Sequence, residues 1–431
     1  MSRPMKVLIS GAGVAGNALA FWLAKLGYCD VTVIESFPSL RTTGQQVDLR
    51  GAGIGAIRRM GLEEAFRAKA VPEEGMRFVD KSGKSRAFFP ANKTGKGPQS
   101  FTSEFEIMRG DLCQLMYDAT AKDHTKYVFG TRIDNFEENQ DGTVNVGFSD
   151  GTTDQFDLVV GADGVGSRTR KLMLGCHGSS AKDPSFHPKG NSYIAYFSIP
   201  RPQEDGEGLI ANIYLAPGNR MILTRRHTPQ DMQVLFVCWQ SSSERLRTAR
   251  RGDVKAEKEA IDDAFRGAGW QVDELLDAMK DTPDSEFYCQ RQGLVKMEYW
   301  SKGHVVLLGD AGYCPSVNGF GTSAAVMGAY ILAGEIATHC GKSGSESEAV
   351  NVKGLGDALK AYEQKFRPFM DKMQKGEESD RNWMPSSSFS VAAMNYLVGA
   401  FAFLKLHILV MRFWNPEKGL DLPDYGDVLR V

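Results

Sequence analysis

The chain has 431 residues, 42% of them hydrophobic, enough for one large or two intertwined domains around a sizeable core. Basic and acidic residues nearly cancel, 51 against 53, so no charge excess points to nucleic acid or to an anionic membrane as partner. Seven cysteines without a C-x-x-C and seven histidines without metal-ligand spacing predict reduced thiols, a cytoplasmic location and no metal site.

In chain order, the first predicted element is a strand, Lys6–Ser10, beginning too early to leave room for a secretory leader. It runs into Gly11-Ala-Gly13-Val14-Ala15-Gly16, then a helix over Asn17–Leu26, a stop at Gly27 and a second strand ending at Glu35. This is a βαβ unit carrying G-x-G-x-x-G in the context that fingerprint requires. Gly11 permits the tight turn, Gly13 lets backbone approach a pyrophosphate, and Gly16 allows close helix packing. Val14 and Ala15 belong to the same phosphate-binding turn, at a helix N-terminus that favours anions. Glu35 is placed to accept from ribose hydroxyls and would repel a 2′-phosphate. These features predict a bound dinucleotide, FAD or NAD.

A second glycine cluster, Gly51, Gly53 and Gly55, has the wrong spacing and is expected to be a turn before a helix. Later apolar runs, Asp157–Gly161 and His304–Gly309, have the form of strands buried on both faces of a parallel sheet. Between them, roughly Asn191–Gln240, β-rich segments separated by Pro, Gly and Asp predict an antiparallel sheet. On its inward face Tyr196, Tyr214 and Trp239 are candidates for an aromatic substrate wall, with Arg225 and His227 as candidate anchor, acid or base. The basic run Arg245–Arg251 is expected to be a solvated helix face, and Gly341–Gly356 a polar surface loop. The apolar stretch Val391–Trp414 is broken by Asn395, Lys405, His407 and Arg412, a poor membrane span. A pair of core or interface helices is favoured there over interfacial membrane attachment.

Two further motifs carry a family resemblance. Asp163–Arg170 reads D-G-V-G-S-R-T-R after a strand, and Gly309–Gly321 reads G-D-A-G-Y-C-P-S-V-N-G-F-G after another. Together with the fingerprint, these resemble the three motifs of the FAD-dependent aromatic hydroxylases of the para-hydroxybenzoate hydroxylase fold, in the same order from the start of the chain to about residue 335. The resemblance implies FAD rather than NAD as the resident cofactor. It assigns Asp310 to the ribityl or pyrophosphate region, and the turn from Pro315 to Gly321, with Thr322, to the flavin's pyrimidine edge. Arg109, in M-R-G-D-L-C-Q-L, matches an arginine that contacts FAD; Asp163 and Arg170 are either cofactor-proximal or structural.

The chain departs from that family in having Ala311, Gly312 and Tyr313 where Ala-His is frequent, and Ser36 after Glu35 where arginine is frequent. Arg41 is the candidate replacement for that arginine. The loop Gly44–Asp48 resembles tetracycline-modifying monooxygenases, which implies an aromatic, polycyclic or polyketide-like substrate of secondary metabolism. The W-x-W-x-I-P segment of the related halogenases is missing from the sequence.

The expected fold is therefore α/β: a discontinuous Rossmann-type FAD-binding domain (1–74, 106–185 and 295–340), an interposed antiparallel β-sheet substrate domain (75–105 and 186–294) and a C-terminal helical region (351–431). The resemblance implies a monooxygenase that takes electrons from NADH or NADPH and oxygen from O2 and oxygenates a small molecule through a peroxyflavin. In such an enzyme the protein supplies position, dryness and electrostatics, and no catalytic base is required. A flavin-dependent dehydrogenase or reductase without oxygen insertion carries the same motifs; a flavin-binding redox sensor is the non-catalytic alternative.

Overall fold

The computed structural model describes residues 3–92, 102, 104–120, 125–176, 182–315, 319–341, 351–375, 384–406 and 421–429. Its centre is a six-stranded sheet in the order Ser301–Lys302, Val305–Leu307, Leu158–Gly161, Met5–Ser10, Cys29–Glu35, Thr125–Phe129. All pairings are parallel except that of the short edge strand Ser301–Lys302. Val7, Leu8 and Ile9 are fully buried, as are Leu158, Val159 and Val160 on the neighbouring strand, which is what strands covered on both faces require.

The helix Val14–Lys25 covers this sheet and packs against Gly321–Cys340, a twenty-residue helix buried almost all round. That central helix is in turn covered by Leu355–Gln374, which belongs to the same core; the end of the expected polar surface loop is thus a turn, Val352–Gly354, and the buried start of this helix at Leu355, while residues 342–350 lie outside the described residues. The first helix starts three residues earlier than its apolar pattern suggests. Its N-cap is Gly13, which has no capping side chain, so the first N–H groups have no side-chain partner there.

The second layer is a seven-stranded sheet in the order Tyr288–Val295, Phe186–Pro200, Asp231–Cys238, Arg220–Arg226, Ile210–Ala216, Gly75–Val79, Ser85–Pro90. It is mixed rather than wholly antiparallel, because Gly75–Val79 runs parallel to Ile210–Ala216. Those two strands come from distant parts of the chain, and no tight hairpin forces them to oppose. One face of this sheet packs Phe197, Phe236 and Tyr214 against the helices Val254–Phe265 and Val272–Asp281. The other face turns toward the six-stranded sheet. Two elements that sequence patterning did not predict complete the fold: an antiparallel meander, Ile133–Glu138, Val144–Phe148 and Thr153–Phe156, and the pair Gln46–Asp48 with Glu106–Met108.

Gly51 precedes the helix Ala52–Arg59 with φ +46, the turn expected of the second glycine cluster. Within the apolar C-terminal stretch, Ser388–Phe403 is a helix lying against Ser85–Pro90. It is only half packed, since Phe389, Tyr396, Leu397 and Phe403 remain exposed. The second expected helix falls on residues 407–414, outside the described residues. Among the described residues, no helix is long and apolar enough to cross a membrane.

Candidate active site

The order of the parallel strands reverses around Met5–Ser10, which lies between Leu158–Gly161 and Cys29–Glu35. Ligands of open α/β sheets bind beyond the carboxyl ends of the strands at such a switch point. A cavity of about 740 Å³ opens there, lined by Ser10 and Gly11, Ile34 and Glu35, Ala162 and Asp163, and Asp310, the residues at or just past four strand ends. The helices that start at Val14, Arg109 and Gly321 all point their N-termini at it, since Gly13, Arg109 and Gly321 are in its lining. Three positive dipole ends make this end of the cavity a site for anions.

The three fingerprint glycines are required for different reasons. Gly11 has φ +110, and a Cβ there would meet Ala162 O at 2.6 Å. A Cβ on Gly16 would meet Gly11 O at 1.9 Å, so the first helix could not pack. A Cβ on Gly13 would meet nothing nearer than Arg109 Nη2 at 3.5 Å, an ordinary contact, at a φ of −79°. The fold alone does not demand glycine at 13; the cradle it leaves beside the guanidinium fits a pyrophosphate.

Glu35 is oriented by Ala12 N–H, which donates to Oε2 at 3.1 Å, and by Phe37 N–H and Ser36 Oγ–H, which donate to Oε1 at 3.0 Å. Arg41 lies over the Phe37 ring, and burial, reinforced by the charge of Arg109, lowers its pKa. Asp310 is buried, which raises its pKa against the pull of Arg109. Thr322 and Tyr196 complete the predicted residues that line the cavity. Val14, Ala15 and Gly16 lie behind the lining in the first helix, and Pro315 is buried one residue beyond the lining residue Cys314. The rest of that turn, 316–318, falls outside the described residues.

Asp163 and Arg170 both make structural hydrogen bonds, and Asp163 lines the cavity as well. The Asp163 carboxylate accepts from Ser167 Oγ and from the N–H groups of Arg168 and Thr169, at 2.5, 2.8 and 3.0 Å, closing the start of the helix Arg168–Met173. Arg170 is fully buried and donates to Asp183 and to the carbonyls of Ala311 and Val165. It thus ties the D-G motif to the G-D motif.

Three proposed substrate residues and His227 do not line the cavity. Pairing runs from Tyr196 through Leu235 and Leu223 to Ile213, so Tyr214 stands on the opposite face of the sheet, where its hydroxyl donates to Ala268 O at 2.8 Å. Trp239 shares the inner face but packs with Met221, Leu235 and Met394 under the helix Ser388–Phe403. Arg225 lies behind the lining, holding Glu73 at 2.7 Å and Glu106 at 2.6 Å. Burial raises the Glu73 pKa to about 7, with Arg225 opposing and Glu106 reinforcing the shift. His227 rests against Gln233 Nε2 at 2.9 Å, and burial lowers its pKa.

Other lining residues were not anticipated. Tyr288 pairs directly with Tyr196, and Gln290 with Ile194, so both belong to the inner face. Gln292, one alternation further, lines the cavity as well. The signal was present as the alternation Tyr288, Gln290, Gln292, but this strand lies well beyond the β-rich block whose pattern marked the sheet. Arg251, from the run expected to be solvated, lines the cavity together with Arg132 and Arg168.

A model of the FAD binding domain family matches residues 4–373. The chain is 46% identical to a FAD-dependent monooxygenase of Sarocladium schorii over 99% of each chain. It is 40% identical to a flavin-dependent monooxygenase of Phoma sp, covering 92% of this chain and 91% of that one. The crystal structure of tetracycline destructase Tet(55) superposes with a TM-score of 0.74 at 26% identity, over 98% of this chain and 99% of that one. The same fold recurs, at 19% identity and TM-score 0.65, in Klebsiella pneumoniae HpxO complexed with FAD and uric acid, covering 95% and 96%. By these matches and by its cavity, the chain belongs to the FAD binding domain family and is an FAD-dependent monooxygenase that takes its electrons from NADH or NADPH.

Proposed function

We propose that the substrate is an aromatic or polycyclic small molecule, seated between the nucleotide end of the cavity and the inner face of the seven-stranded sheet. The observation that carries this reading is the Tyr196–Tyr288 pair on that face, two rings on neighbouring strands that both line the cavity. Offset or edgewise contact with such rings favours a flat aromatic ligand by about 0.5–1.5 kcal/mol beyond the area buried. Tyr196 is fixed by its hydroxyl, which donates to Gly44 O at 2.9 Å, so the wall is organised before a ligand arrives.

In this arrangement Gly11, Gly13 and the turn at Val14 and Ala15 would hold the pyrophosphate of FAD, with Gly16 packing the helix behind them. Glu35 would accept from the ribose, and Arg41 and Arg109 would serve the phosphates. Asp310 would serve the ribityl or pyrophosphate region, while Pro315, Gly321 and Thr322 would bring a helix N-terminus to the pyrimidine edge. FAD, when bound, supplies the redox chemistry by accepting a hydride from NADH or NADPH and activating O2. The chain's own part is to hold substrate and cofactor face to face and to exclude water. A cytoplasmic site of action fits the seven free cysteines.

The test is NADPH and NADH oxidation by the FAD-loaded protein with a panel of phenols, polycyclic phenols and aliphatic ketones. Stimulation by the aromatic members, weakened about tenfold or more in kcat/KM by Tyr196→Leu or Tyr288→Leu, is expected. Stimulation confined to the aliphatic members would overturn the aromatic reading.

A further inference from the structure

The helix Ser388–Phe403 has no charged side chain along its whole length. One face is used by the fold. Val391 and Met394 pack with Trp239, Met221 and Leu235, the Phe401 ring lies 6.4 Å from that of Phe89, and a Cβ on Gly399 would come within 3.0 Å of Arg86 O. The other face is just as apolar and stands open. Phe389, Ala392, Tyr396, Ala400 and Phe403 follow one another at intervals of three or four residues, which sets them in one line along the helix, and all five are exposed. The three aromatic side chains of that line are 84%, 77% and 87% exposed in chain order, and exposed Leu397 and Leu404 widen it.

A helix that faces water turns polar side chains to it, whereas one that is apolar all round is covered on every side. Single exposed apolar residues need no explanation, but a contiguous strip of them marks an interaction surface. The ends of this helix are set by local signals: a capping box of Ser387 and Ser390 at its start, and Lys405 in the left-handed region, φ +55, just past its end.

Chemistry distinguishes the occupants of such a strip. A protein partner needs a polar rim and about one hydrogen bond per 100–200 Å² of contact, and the side chains of this line offer one hydroxyl, that of Tyr396. A lipid bilayer asks for none: its acyl chains take apolar side chains, aromatic rings settle at the level of the headgroups, and basic residues beside them meet anionic lipid. The charges fit that surface. Basic and acidic residues nearly cancel over the whole chain, yet residues 381–416 contain Arg381, Lys405 and Arg412 and no aspartate or glutamate, and Lys405 is exposed directly after the strip. At about 1.5 Å per residue the helix is about 24 Å long, short of the roughly 30 Å hydrocarbon core, so it suits the plane of the surface and not a crossing.

We infer that the outer face of Ser388–Phe403 docks the enzyme on an anionic lipid bilayer, with Phe389, Tyr396 and Phe403 entering the boundary between headgroups and acyl chains and Lys405 meeting the anionic headgroups. This holds whichever substrate the cavity takes.

The experiment sediments FAD-loaded protein with two sets of vesicles, one of phosphatidylcholine alone and one with a phosphatidylserine for every two phosphatidylcholines. The wild type is expected to bind the mixed vesicles at least about tenfold more tightly than the neutral ones. A triple variant, Phe389→Ser with Tyr396→Ser and Phe403→Ser, should lose binding to both sets. Its FAD uptake and thermal transition should match the wild type, since all three side chains are exposed. Lys405→Glu should weaken binding to the mixed vesicles about tenfold and leave binding to the neutral ones as it was. Absence of vesicle binding by the wild type, equal binding of both vesicle sets, or undiminished binding by the triple variant would overturn the inference. Self-association of the wild type without lipid, lost in the triple variant and accompanied by no vesicle binding, would overturn it as well and assign the face to a second copy of the chain.

Discussion

Single residues divide between those the fold needs and those a ligand needs, and glycines 13 and 16 separate the two cases. Gly16→Ala would drive a methyl group into Gly11 O, a backbone atom that cannot withdraw. That variant is expected to lose its cooperative thermal transition or fail to accumulate as folded protein. Gly13→Ala meets only ordinary contacts, so its cofactor-free form should melt with the wild type. Its FAD affinity, measured by titration, should fall at least about tenfold, or about 1.4 kcal/mol. Equal losses of stability in both variants would remove the case for a phosphate cradle at Gly13.

Also at this scale, burial raises the Glu73 pKa from its ordinary 4.5 to about 7 in the folded protein. The folded state therefore holds this proton more tightly than the unfolded chain does. The associated stabilisation is complete below about pH 4.5 and is lost as pH rises through about 7. Glu73→Gln should remove that part of the slope, gaining on the wild type as pH rises from 4.5 to 8 in urea denaturation. An unchanged difference across that range would contradict the assignment. Arg225→Met, which leaves two buried carboxylates without a counter-charge, is expected to cost about 3–5 kcal/mol at neutral pH.

Among the elements, the helix Leu355–Gln374 does more than cover the core. Its last residue, Gln374, is buried, and its Nε2 lies 2.9, 3.2 and 3.1 Å from the carbonyls of Val295, Tyr313 and Cys314, which share its two N–H donors. It thereby ties the end of the strand Tyr288–Val295 to the turn that begins at the G-D motif. Gln374→Leu leaves those carbonyls without that donor and is expected to cost about 1–3 kcal/mol. It should also speed FAD release, measured by the return of flavin fluorescence on dilution; destabilisation without faster release would show a purely structural tie. Elements with period-specific patterns were legible in the sequence: the βαβ unit, the two later parallel strands and the four strands of the β-rich block. Elements set by distant pairing were not. The parallel partner of Ile210–Ala216 and the every-second-residue alternation at Tyr288, Gln290 and Gln292 acquire meaning only once the strands are in register.

For the molecule as a whole, the sequence motifs picked out residues that line one end of the cavity, because that end is built from contiguous turns at strand ends. The wall that the seven-stranded sheet contributes was only partly legible, since it is assembled across strands and a one-residue change of parity moves a side chain to the other face. Tyr196 faces the cavity and Tyr214 the helices for that reason alone. Arg251 was not legible because charge patterning describes a helix face and not the cavity that a loop beyond the helix reaches. The two halves meet in one cavity, which is what an enzyme that brings a reduced flavin, oxygen and an organic substrate together requires. The most direct measurement is turnover of the FAD-loaded protein under ¹⁸O2 with NADPH and an aromatic or polycyclic compound that stimulates its oxidation, followed by mass analysis of the product. One ¹⁸O atom incorporated per product molecule is expected; an oxidised product carrying no label would contradict oxygen insertion at this site.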